Sequence, residues 1–328
     1  MRALVTGANG FLGSHLVDLL LETGDWELRT LVRRTSDLRW LQGKPIELVY
    51  GDVTQAPSAL SPALSDVEVV FHIAGLTKAV KKKAFYVVNE QGTENLFQAC
   101  FLQEKPPSRF VLVSSAGAQG PSQADAPLLE DDEPNPVTEY GRSKLAGERI
   151  AAKYMNRMSI VIVRPGGIYG PRDTEFLPIF DGVNRGLLTR LGFSPGVINV
   201  AHVKDVAKAI RLAGTVAAAK SETFLIGGVN INQVDLGRTI GRVLGKKFLF
   251  PLVIPKVLFR FAALLSSGVG KLTSKPRIFT YENTSRILAK NWSLNMSKAQ
   301  NILGYQPEFD LESGLKDTLN WYRSENLL

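Results

Sequence analysis

Cysteine is almost absent from this chain, which has only Cys100 among its 328 residues. A single cysteine cannot form an intramolecular disulfide, and this scarcity is typical of proteins in a reducing compartment. Cys100 stands within a helical apolar pattern, so we expect it in the core and not as a nucleophile. We also expect no metal site.

Uninterrupted apolar stretches are missing from the start of the chain. The first apolar residues are broken by a glycine-rich turn and fit a strand and a helix, so we expect no signal peptide. The composition is 45% hydrophobic and 21% charged with a mean hydropathy of +0.00, as in ordinary globular proteins. These features predict a cytoplasmic protein that is long enough to build two lobes.

The balance of charge is basic, with a formal net charge of +8. A local cluster contains Lys78, Lys81, Lys82 and Lys83. Such a cluster is usually a solvated face, although it also attracts acidic ligands or an anionic membrane surface. Because no recognition module accompanies the charge, we expect no nucleic-acid partner.

Apolar, β-branched runs alternate with helical patterns through the first half of the chain. The predicted strands are Ala3–Thr6, Glu27–Val32, Ile46–Tyr50, Val67–His72, Arg109–Ser114 and Ile160–Arg164. Helical patterns lie near residues 12–22, 54–65, 84–103 and 138–156. This alternation predicts an α/β fold, a Rossmann-type doubly wound parallel sheet with helices on both faces. Ligands of such sheets bind beyond the carboxyl ends of the strands.

Two lobes are expected from the pattern. Residues 1–165 are the predicted dinucleotide-binding domain, and we expect residues 197–218 to return to it as a strand and a helix. Residues 166–328 are the predicted substrate-binding lobe, which is smaller and interleaved with the first. It ends in an amphipathic helix, Leu311–Arg323.

A glycine-rich loop, Gly7-Ala-Asn-Gly10-Phe-Leu-Gly13, follows the first predicted strand and opens a helix. Gly7 permits the sharp turn, Gly10 lets the backbone approach a pyrophosphate, and Gly13 lets the helix pack on the sheet. The phosphates then lie at the helix N-terminus, where free N–H groups favour anions. The loop therefore predicts a dinucleotide site, which also includes Asn9, Phe11 and Leu12.

The end of the second predicted strand bears on the choice of cofactor. NAD-preferring proteins usually place Asp or Glu there to bind the ribose 2′-hydroxyl, whereas this chain has Arg33. A guanidinium pairs with a 2′-phosphate, so we expect NADP(H), with NAD(H) as the alternative. Asp52, after the third strand, is placed to bind the adenine amino group or to cap the following helix.

Tyr140 and Lys144 are four residues apart in a predicted helix and therefore share one face of it. Ser115 precedes them at the end of the fifth predicted strand. A phenol has a pKa of about 10, but a nearby ammonium and an oxidised nicotinamide favour the phenolate. We predict that Tyr140 exchanges a proton with a substrate oxygen, that Ser115 holds that oxygen, and that Lys144 binds the nicotinamide ribose.

As a set, these residues resemble the extended short-chain dehydrogenase/reductases, the NAD-dependent epimerase/dehydratase family, over nearly the whole chain. The resemblance also rests on Gly51-Asp52, His72-Ile-Ala-Gly75, Asn89-Glu-Gln-Gly-Thr93, Arg164-Pro165, Tyr169-Gly-Pro-Arg172 and His202-Val-Lys-Asp205. It implies further cofactor contacts by Val53, Ala74, Gly75 and Pro165. It also implies that Asn89 ties strand ends together, that Asp205 is mostly structural, and that His202 is packed or lines a pocket.

The loop after Ser115 bears on the reaction. Dehydratases of this family carry an Asp-Glu pair there, whereas this chain has Ala116-Gly117, which argues against dehydration. The segment Asn295–Pro307 resembles the closing motif of the 3β-hydroxysteroid dehydrogenase-like and dihydroflavonol reductase-like members. The resemblance implies an NADP(H)-dependent oxidoreductase that interconverts a secondary alcohol and a ketone on a hydrophobic, sterol- or lipid-like substrate. A nucleotide-sugar epimerase with tightly bound NAD(P) and a non-catalytic NADP(H)-binding sensor are the alternatives.

The segment 248–265 is unusually apolar, but two prolines, Lys256 and Arg260 interrupt it and it is too short to span a membrane cleanly. One interpretation is a buried helix of the second lobe. The other is a wall for a lipophilic substrate or a peripheral membrane contact. The resemblance also implies a homodimer through the 84–103 and 138–156 helices. Leu96 and Ile150 fit that pairing and fit burial against the sheet equally.

Overall fold

Strands and helices alternate along the chain, of which the computed structural model describes residues 1–192, 196–273 and 281–328. The strands are β1 (Arg2–Thr6), β2 (Glu27–Val32), β3 (Ile46–Tyr50), β4 (Val69–His72), β5 (Arg109–Val113), β6 (Ser159–Pro165), β7 (Gly167–Tyr169), β8 (Leu187–Leu191), β9 (Val197–His202), β10 (Thr223–Ile226), β11 (Val229–Asn232), β12 (Phe250–Ile254) and β13 (Asn291–Trp292). The α-helices are α1 (Phe11–Glu22), α2 (Pro57–Leu60), α3 (Lys82–Tyr86), α4 (Gly92–Cys100), α5 (Ala116–Gln119), α6 (Glu139–Ala152), α7 (Leu177–Asn184), α8 (Val203–Thr215), α9 (Gln233–Val243), α10 (Lys256–Thr273), α11 (Tyr281–Leu288) and α12 (Leu311–Ser324).

Within these residues the largest sheet has seven strands in the order β10-β6-β5-β4-β1-β2-β3. Every neighbouring pair is parallel. Helices α1 and α8 cover one face, and α4 and α6 lie on the other. Because both faces are covered, β4 is buried along its whole length, which explains its unbroken apolar run. The predicted doubly wound α/β fold is confirmed.

A smaller set of strands follows the central sheet. β9 pairs in parallel with β7 and β13 and antiparallel with β11, while β8 and β12 form a separate parallel pair. Helices α7, α9 and α12 enclose a third apolar core, in which Phe180, Ile240 and Tyr322 are buried. This is the part of the chain to which we assigned the substrate lobe, and the division at residue 165 stays a prediction.

Residues 197–218 return to the first domain only in part. Helix α8 packs on α1 and on the central sheet through side chains such as Val206 and Ile210. The expectation of a returning strand is wrong, because β9 pairs within the smaller sheet. The edge of β6 is instead occupied by β10, in a register that runs from Thr223 beside Ile162 to Ile226 beside Pro165.

Two predicted helices are broken in the structure. The helix expected near 54–65 splits into α2 and a 3₁₀ turn at Ser61–Leu64, where Pro62 cannot donate a backbone hydrogen bond. The helix expected near 84–103 contains a π turn at Val87–Gln91 between α3 and α4. This turn carries Asn89, whose contacts belong to the site described below.

The segment 248–265 is not a buried helix, and that interpretation is wrong. It forms β12 and the start of α10, with the two elements divided at Pro255. Most of its apolar side chains are exposed, since nothing in the described part of the chain covers their outer side. None of the helices within the described ranges is long and apolar enough to cross a membrane.

Three of the residues discussed above lie within the central core. Leu96 and Ile150 are buried against the sheet, so their apolar character is explained within one chain, and the homodimer stays a prediction. Cys100 lies in the same core, where burial raises the pKa of its thiol to about 12. A thiol with so high a pKa remains protonated at neutral pH, as expected of a core residue.

The stacked aromatic residues beneath α4 are expected to carry a large share of the stability of this face. Phe97 is fully buried between Phe110 and Tyr154, with ring centroids 4.2 and 5.0 Å away. Phe97→Ala should therefore lower the free energy of unfolding by about 3–5 kcal/mol. Leu102→Ala, at an exposed position, should change it by less than about 0.5 kcal/mol. Urea unfolding measures both, and equal losses would contradict the assignment.

Candidate active site

The glycine loop between β1 and α1 brings the backbone into unusually close contact. Gly7 has φ +72°, and a Cβ placed there would lie 2.7 Å from the backbone nitrogen of Ala74. A Cβ on Gly13 would lie 2.1 Å from the carbonyl oxygen of Gly7. Both positions therefore exclude any side chain, because the loop must pass between the start of α1 and the end of β4.

The N-terminus of α1 is open to a ligand. Its N-cap residue is Gly10, and no side chain caps the first turn. The loop residues Asn9, Phe11 and Leu12 are partly exposed beside it. Unpaired N–H groups and the helix dipole favour an anion here, so the cradle fits the pyrophosphate of a dinucleotide.

A cleft of about 310 Å³ lies beyond the ends of β2 and β3, lined by Arg33, Arg34, Thr35, Tyr50, Gly51, Asp52 and Gln55. Arg33 is exposed, and its backbone nitrogen donates to Ser36 Oγ at 3.2 Å. The guanidinium of Arg34 stacks over the ring of Tyr50 at 5.2 Å. The cleft thus has two cationic side chains at the place where a dinucleotide of this fold puts its adenosine ribose.

Asp52 has a local partner in the same cleft. Its Oδ1 accepts from the backbone nitrogen of Thr54 at 2.9 Å and from the Thr54 hydroxyl at 2.8 Å. The N-cap of α2 is Ala56, so Asp52 closes a turn and does not cap that helix. Val53 is buried, and its carbonyl accepts from Asn95. The predicted adenine contact of Asp52 stays a prediction.

The loop after β4 connects the cofactor cradle to α6. The backbone nitrogen of Leu76 donates to Asn89 Oδ1 at 2.7 Å, and Asn89 Nδ2 donates to Ser143 Oγ at 2.8 Å. A Cβ on Gly75 would lie 3.5 Å from the ammonium nitrogen of Lys144. Ala74 and Gly75 therefore lie between the glycine loop and the predicted catalytic helix.

Tyr140 is set in the first turn of α6 by a cap. Thr138 accepts a hydrogen bond from the backbone nitrogen of Gly141 at 3.1 Å, which starts the helix one residue before Tyr140. A Cβ on Gly117 would lie 3.2 Å from Ser115 Oγ and 3.7 Å from the Tyr140 ring. The structure thus brings the predicted serine and tyrosine together across Gly117, which the sequence analysis noted only because it is not a carboxylate.

The Ser115 hydroxyl is oriented by the backbone. Its oxygen accepts from the backbone nitrogen of Gly117 at 3.0 Å. The hydroxyl also hydrogen-bonds with the phenol of Tyr140. Burial raises the pKa of Tyr140, while a hydrogen bond with Ser115 and the positive charge of Arg286 lower it in part. Since the net shift is upward, the protein without cofactor keeps the phenol protonated, in contrast to the phenolate expected with an oxidised nicotinamide.

Lys144 reaches from α6 to the end of β5. Its ammonium donates to the carbonyl oxygen of Val113 at 2.6 Å, and the side chain is buried. Burial lowers the pKa of Lys144 to about 8, and the nearby carboxylate of Glu148 opposes this shift. Lys144 is therefore anchored on the side of α6 that faces Gly75, where a nicotinamide ribose would lie.

A buried ion pair behind the predicted catalytic residues was missed in the sequence analysis. Glu148 lies one turn beyond Lys144 and pairs with Arg164 at 2.7 Å. Glu148 also accepts a hydrogen bond from the Ser114 hydroxyl, next to Ser115. Arg164 donates in addition to Gln119 Oε1 at 3.1 Å. The four-residue spacing that links Tyr140 and Lys144 continues to Glu148 and was the signal available.

His72 links the cofactor loop to the helices behind it. Its Nδ1 and Nε2 are hydrogen-bonded to the hydroxyls of Thr6, at 2.7 Å, and Thr93, at 3.1 Å. The Thr6 hydroxyl also accepts from the backbone nitrogen of Ala74. Burial, and then the charge of Lys144, lower the pKa of His72 to about 3. The imidazole therefore stays neutral and acts as a bridge between hydroxyls.

The remaining predicted residues, Pro165, His202 and Asp205, are held by packing or by hydrogen bonds to the backbone. Pro165 is buried at the end of β6, on the same sheet edge as Ser115. The ring of His202 is buried and stacks on Phe309 with centroids 3.8 Å apart. Asp205 accepts from the backbone nitrogens of Glu308, at 2.9 Å, and Phe309, at 3.3 Å. No group of three or more metal-ligating side chains occurs within residues 1–192, 196–273 and 281–328.

Comparison with known proteins agrees with this geometry. Residues 3–227 match the model of the NAD dependent epimerase/dehydratase family. The chain is 32% identical to ceramide reductase of Caulobacter vibrioides, over 99% of this chain and 95% of that protein. It is 28% identical to sterol demethylase protein B of Methylococcus capsulatus, over 100% of both.

A solved structure shows the same fold. UDP-glucose 4-epimerase of Thermotoga maritima aligns with a TM-score of 0.80 and 22% identity, over 99% of this chain and 100% of that chain. At this identity the likeness supports the architecture alone.

The neutral, buried His72 should make the fold sensitive to acid. Its pKa is about 3 in the folded protein against 6.5 for a free histidine. As the pH falls from 6.5 towards 3, the unfolded chain binds the proton more readily, so the free energy of unfolding falls by up to about 1.4 kcal/mol per pH unit. His72→Asn should be less stable at pH 7 but lose about 2–3 kcal/mol less than the parent between pH 6.5 and 4.5. Urea unfolding across this range measures the difference, and parallel curves would contradict it.

Proposed function

The chain belongs to the NAD-dependent epimerase/dehydratase family and is an NAD(P)-dependent enzyme of the extended short-chain dehydrogenase/reductase type, and we propose that it interconverts a secondary alcohol and a ketone with NADP(H). The proposed substrate is hydrophobic and sterol- or lipid-like. The observation that carries the proposal is the convergence of Ser115, Tyr140 and Lys144 beside the glycine loop, through Gly75 and Gly117.

The chemistry divides between the cofactor and the chain. The bound nicotinamide supplies or accepts a hydride. Ser115 is oriented by the Gly117 N–H and hydrogen-bonds with Tyr140, so a substrate oxygen that reaches Tyr140 is also within reach of the Ser115 hydroxyl. Tyr140 is kept protonated by burial and therefore suits the donation of a proton to a ketone oxygen. Lys144, fixed on the Val113 carbonyl, is placed to bind the ribose hydroxyls.

Two observations support a lipophilic alcohol or ketone over the other reactions of the family. The curated relatives include proteins named ceramide reductase and sterol demethylase protein B, each aligned over nearly all of this chain. The residues after Ser115 are Ala116 and Gly117, so no carboxylate stands there for the elimination of water. A redox reaction without dehydration is the chemistry that these groups support.

Tyr140 provides the direct test. Tyr140→Phe removes the proton donor and should lower kcat by about 10²–10⁴ while NADPH binding stays unchanged. Tyr86→Phe is the matched control, since Tyr86 donates to Glu139 on the neighbouring helix and should retain most activity. NADPH oxidation is followed with a panel of ketosteroids, long-chain ketones and nucleotide sugars.

Two outcomes of that assay would contradict the proposal. One is full turnover by the Tyr140→Phe variant. The other is inversion of a nucleotide sugar with no net oxidation of NADPH, which would establish an epimerase.

Arg33 provides the test of cofactor choice. A charge-assisted pair with the 2′-phosphate is worth about 1.5–3 kcal/mol, so Arg33→Ala should weaken NADPH binding by at least about 10-fold. NADH binding should change by less than about threefold, because NADH has no 2′-phosphate. Arg185→Ala, at another exposed arginine, is the control. Fluorescence titration measures both cofactors, and parent protein that binds NADH more tightly would refute the preference.

A further inference from the structure

Helix α10 points its most apolar side chains away from the protein. Val257, Leu258, Phe261, Leu264 and Leu265 are all exposed, with 77% exposure at Val257 and 54% at Leu264. Their spacing of i, i+1, i+4, i+7 and i+8 places them on one face of the helix. This is the reverse of an ordinary surface helix, whose apolar side faces the core.

The opposite side of α10 faces the protein and is less apolar. Ala263 is fully buried, and Ser266 and Ser267 are partly buried on the same side. The Ser267 hydroxyl donates to the Ala263 carbonyl at 2.8 Å. This side of the helix thus has Phe259, partly buried one turn before Ala263, and small side chains, while five larger apolar side chains remain outside.

The preceding strand enlarges this surface. Phe248 and the β12 residues Phe250, Leu252 and Val253 are also exposed. We call the exposed apolar residues of Phe248–Leu265 the outer apolar face. Nine large apolar residues within this segment are exposed, which exceeds the scattered single apolar residues of ordinary surfaces, and such concentrations mark interaction sites.

The sequence that carries the outer apolar face has basic but no acidic residues, although Arg238 and Arg242 pair with Asp235 and Glu312 in the structure. Between Asp235 and Glu282 the sequence has no Asp or Glu but has nine basic residues, Arg238, Arg242, Lys246, Lys247, Lys256, Arg260, Lys271, Lys275 and Arg277. Subtracting these nine charges from the net +8 leaves −1 for the rest of the chain. Lys247 and Arg260 are exposed. The basic character of the protein is thus concentrated where its apolar surface lies.

The outer apolar face also lies near the candidate active site. Helix α10 packs against α11, and Arg286 of α11 is close enough to Tyr140 to lower its pKa in part. The helix that carries the outer apolar face is therefore linked through α11 to the surroundings of Tyr140.

We propose that the outer apolar face docks on an anionic membrane surface, with α10 in the plane of the interface. Exposed leucine and phenylalanine beside lysine and arginine is the composition that interfacial helices use, and no described helix is long and apolar enough to span. A second copy of the chain is a poorer occupant, because a symmetric contact places the same basic residues of two copies together. The docking is independent of which substrate the enzyme uses.

Vesicle flotation tests the proposal. The full-length protein should float with vesicles of 30% phosphatidylglycerol in phosphatidylcholine and remain behind with pure phosphatidylcholine, and binding should weaken as salt rises. Phe261→Ser/Leu265→Ser should reduce the vesicle partition coefficient by at least about 10-fold. Leu102→Ser, at an equally exposed leucine on another surface, should leave it unchanged.

A double charge-reversal variant separates the electrostatic contribution to vesicle binding from the apolar contribution. Lys247→Glu/Arg260→Glu should reduce partitioning to the anionic vesicles by about 30-fold or more, at about fivefold per lost charge. Lys105→Glu, at an exposed lysine elsewhere, should reduce it less than threefold. NADPH binding confirms that each variant is folded.

Three results would overturn the proposal. The first is parent protein that does not float with the anionic vesicles. The second is a Phe261→Ser/Leu265→Ser variant that floats as well as the parent. The third is a parent dimer in light scattering that becomes a monomer in this variant without any vesicle binding, which would make a second copy the occupant.

Discussion

The ion pair of Glu148 and Arg164 is the interaction on which the arrangement of the proposed catalytic residues depends. Two charges are buried together, and each is satisfied by further hydrogen bonds, to Ser114 and to Gln119. Removing either partner leaves an uncompensated buried charge, which is far more costly than a lost surface pair. The pair joins α6 to β6 and to the end of β5. It therefore holds the helix of Tyr140 against the strand that precedes Ser115.

Much of the fold and of the site could be predicted because the signals are local. The glycines of the first loop, the apolar runs of buried strands and the four-residue spacing of Tyr140 and Lys144 follow from short-range geometry. Since the carboxyl ends of parallel strands meet at one edge, the residues after β1 to β6 converge there in the structure. Arg33, Ala74 and Ser115 lie where this rule places them.

The features that could not be predicted depend on distant partners. Nothing local distinguishes β9 from β10 as the strand that extends the central sheet, since the choice depends on which segment reaches β6. The sequence pattern of α10 shows that one side of the helix is apolar. It does not show whether other parts of the protein cover that side. An exposed helix and a buried one have the same periodicity, so the interpretation as a buried helix failed.

Because of the π turn at Val87–Gln91, the number of residues between α3 and α4 determines the orientation of Asn89. A π turn holds one residue more than an α turn. It directs the side-chain amide of Asn89 at the loop after β4 and turns the backbone carbonyl of Asn89 towards α6. A Cβ on Gly147 would lie only 2.5 Å from that carbonyl oxygen. Deleting a single residue between α3 and α4 would restore an ordinary helix and rotate the amide by about 100°. The position of the Asn89 amide therefore depends on the number of residues in this region as well as on their identity.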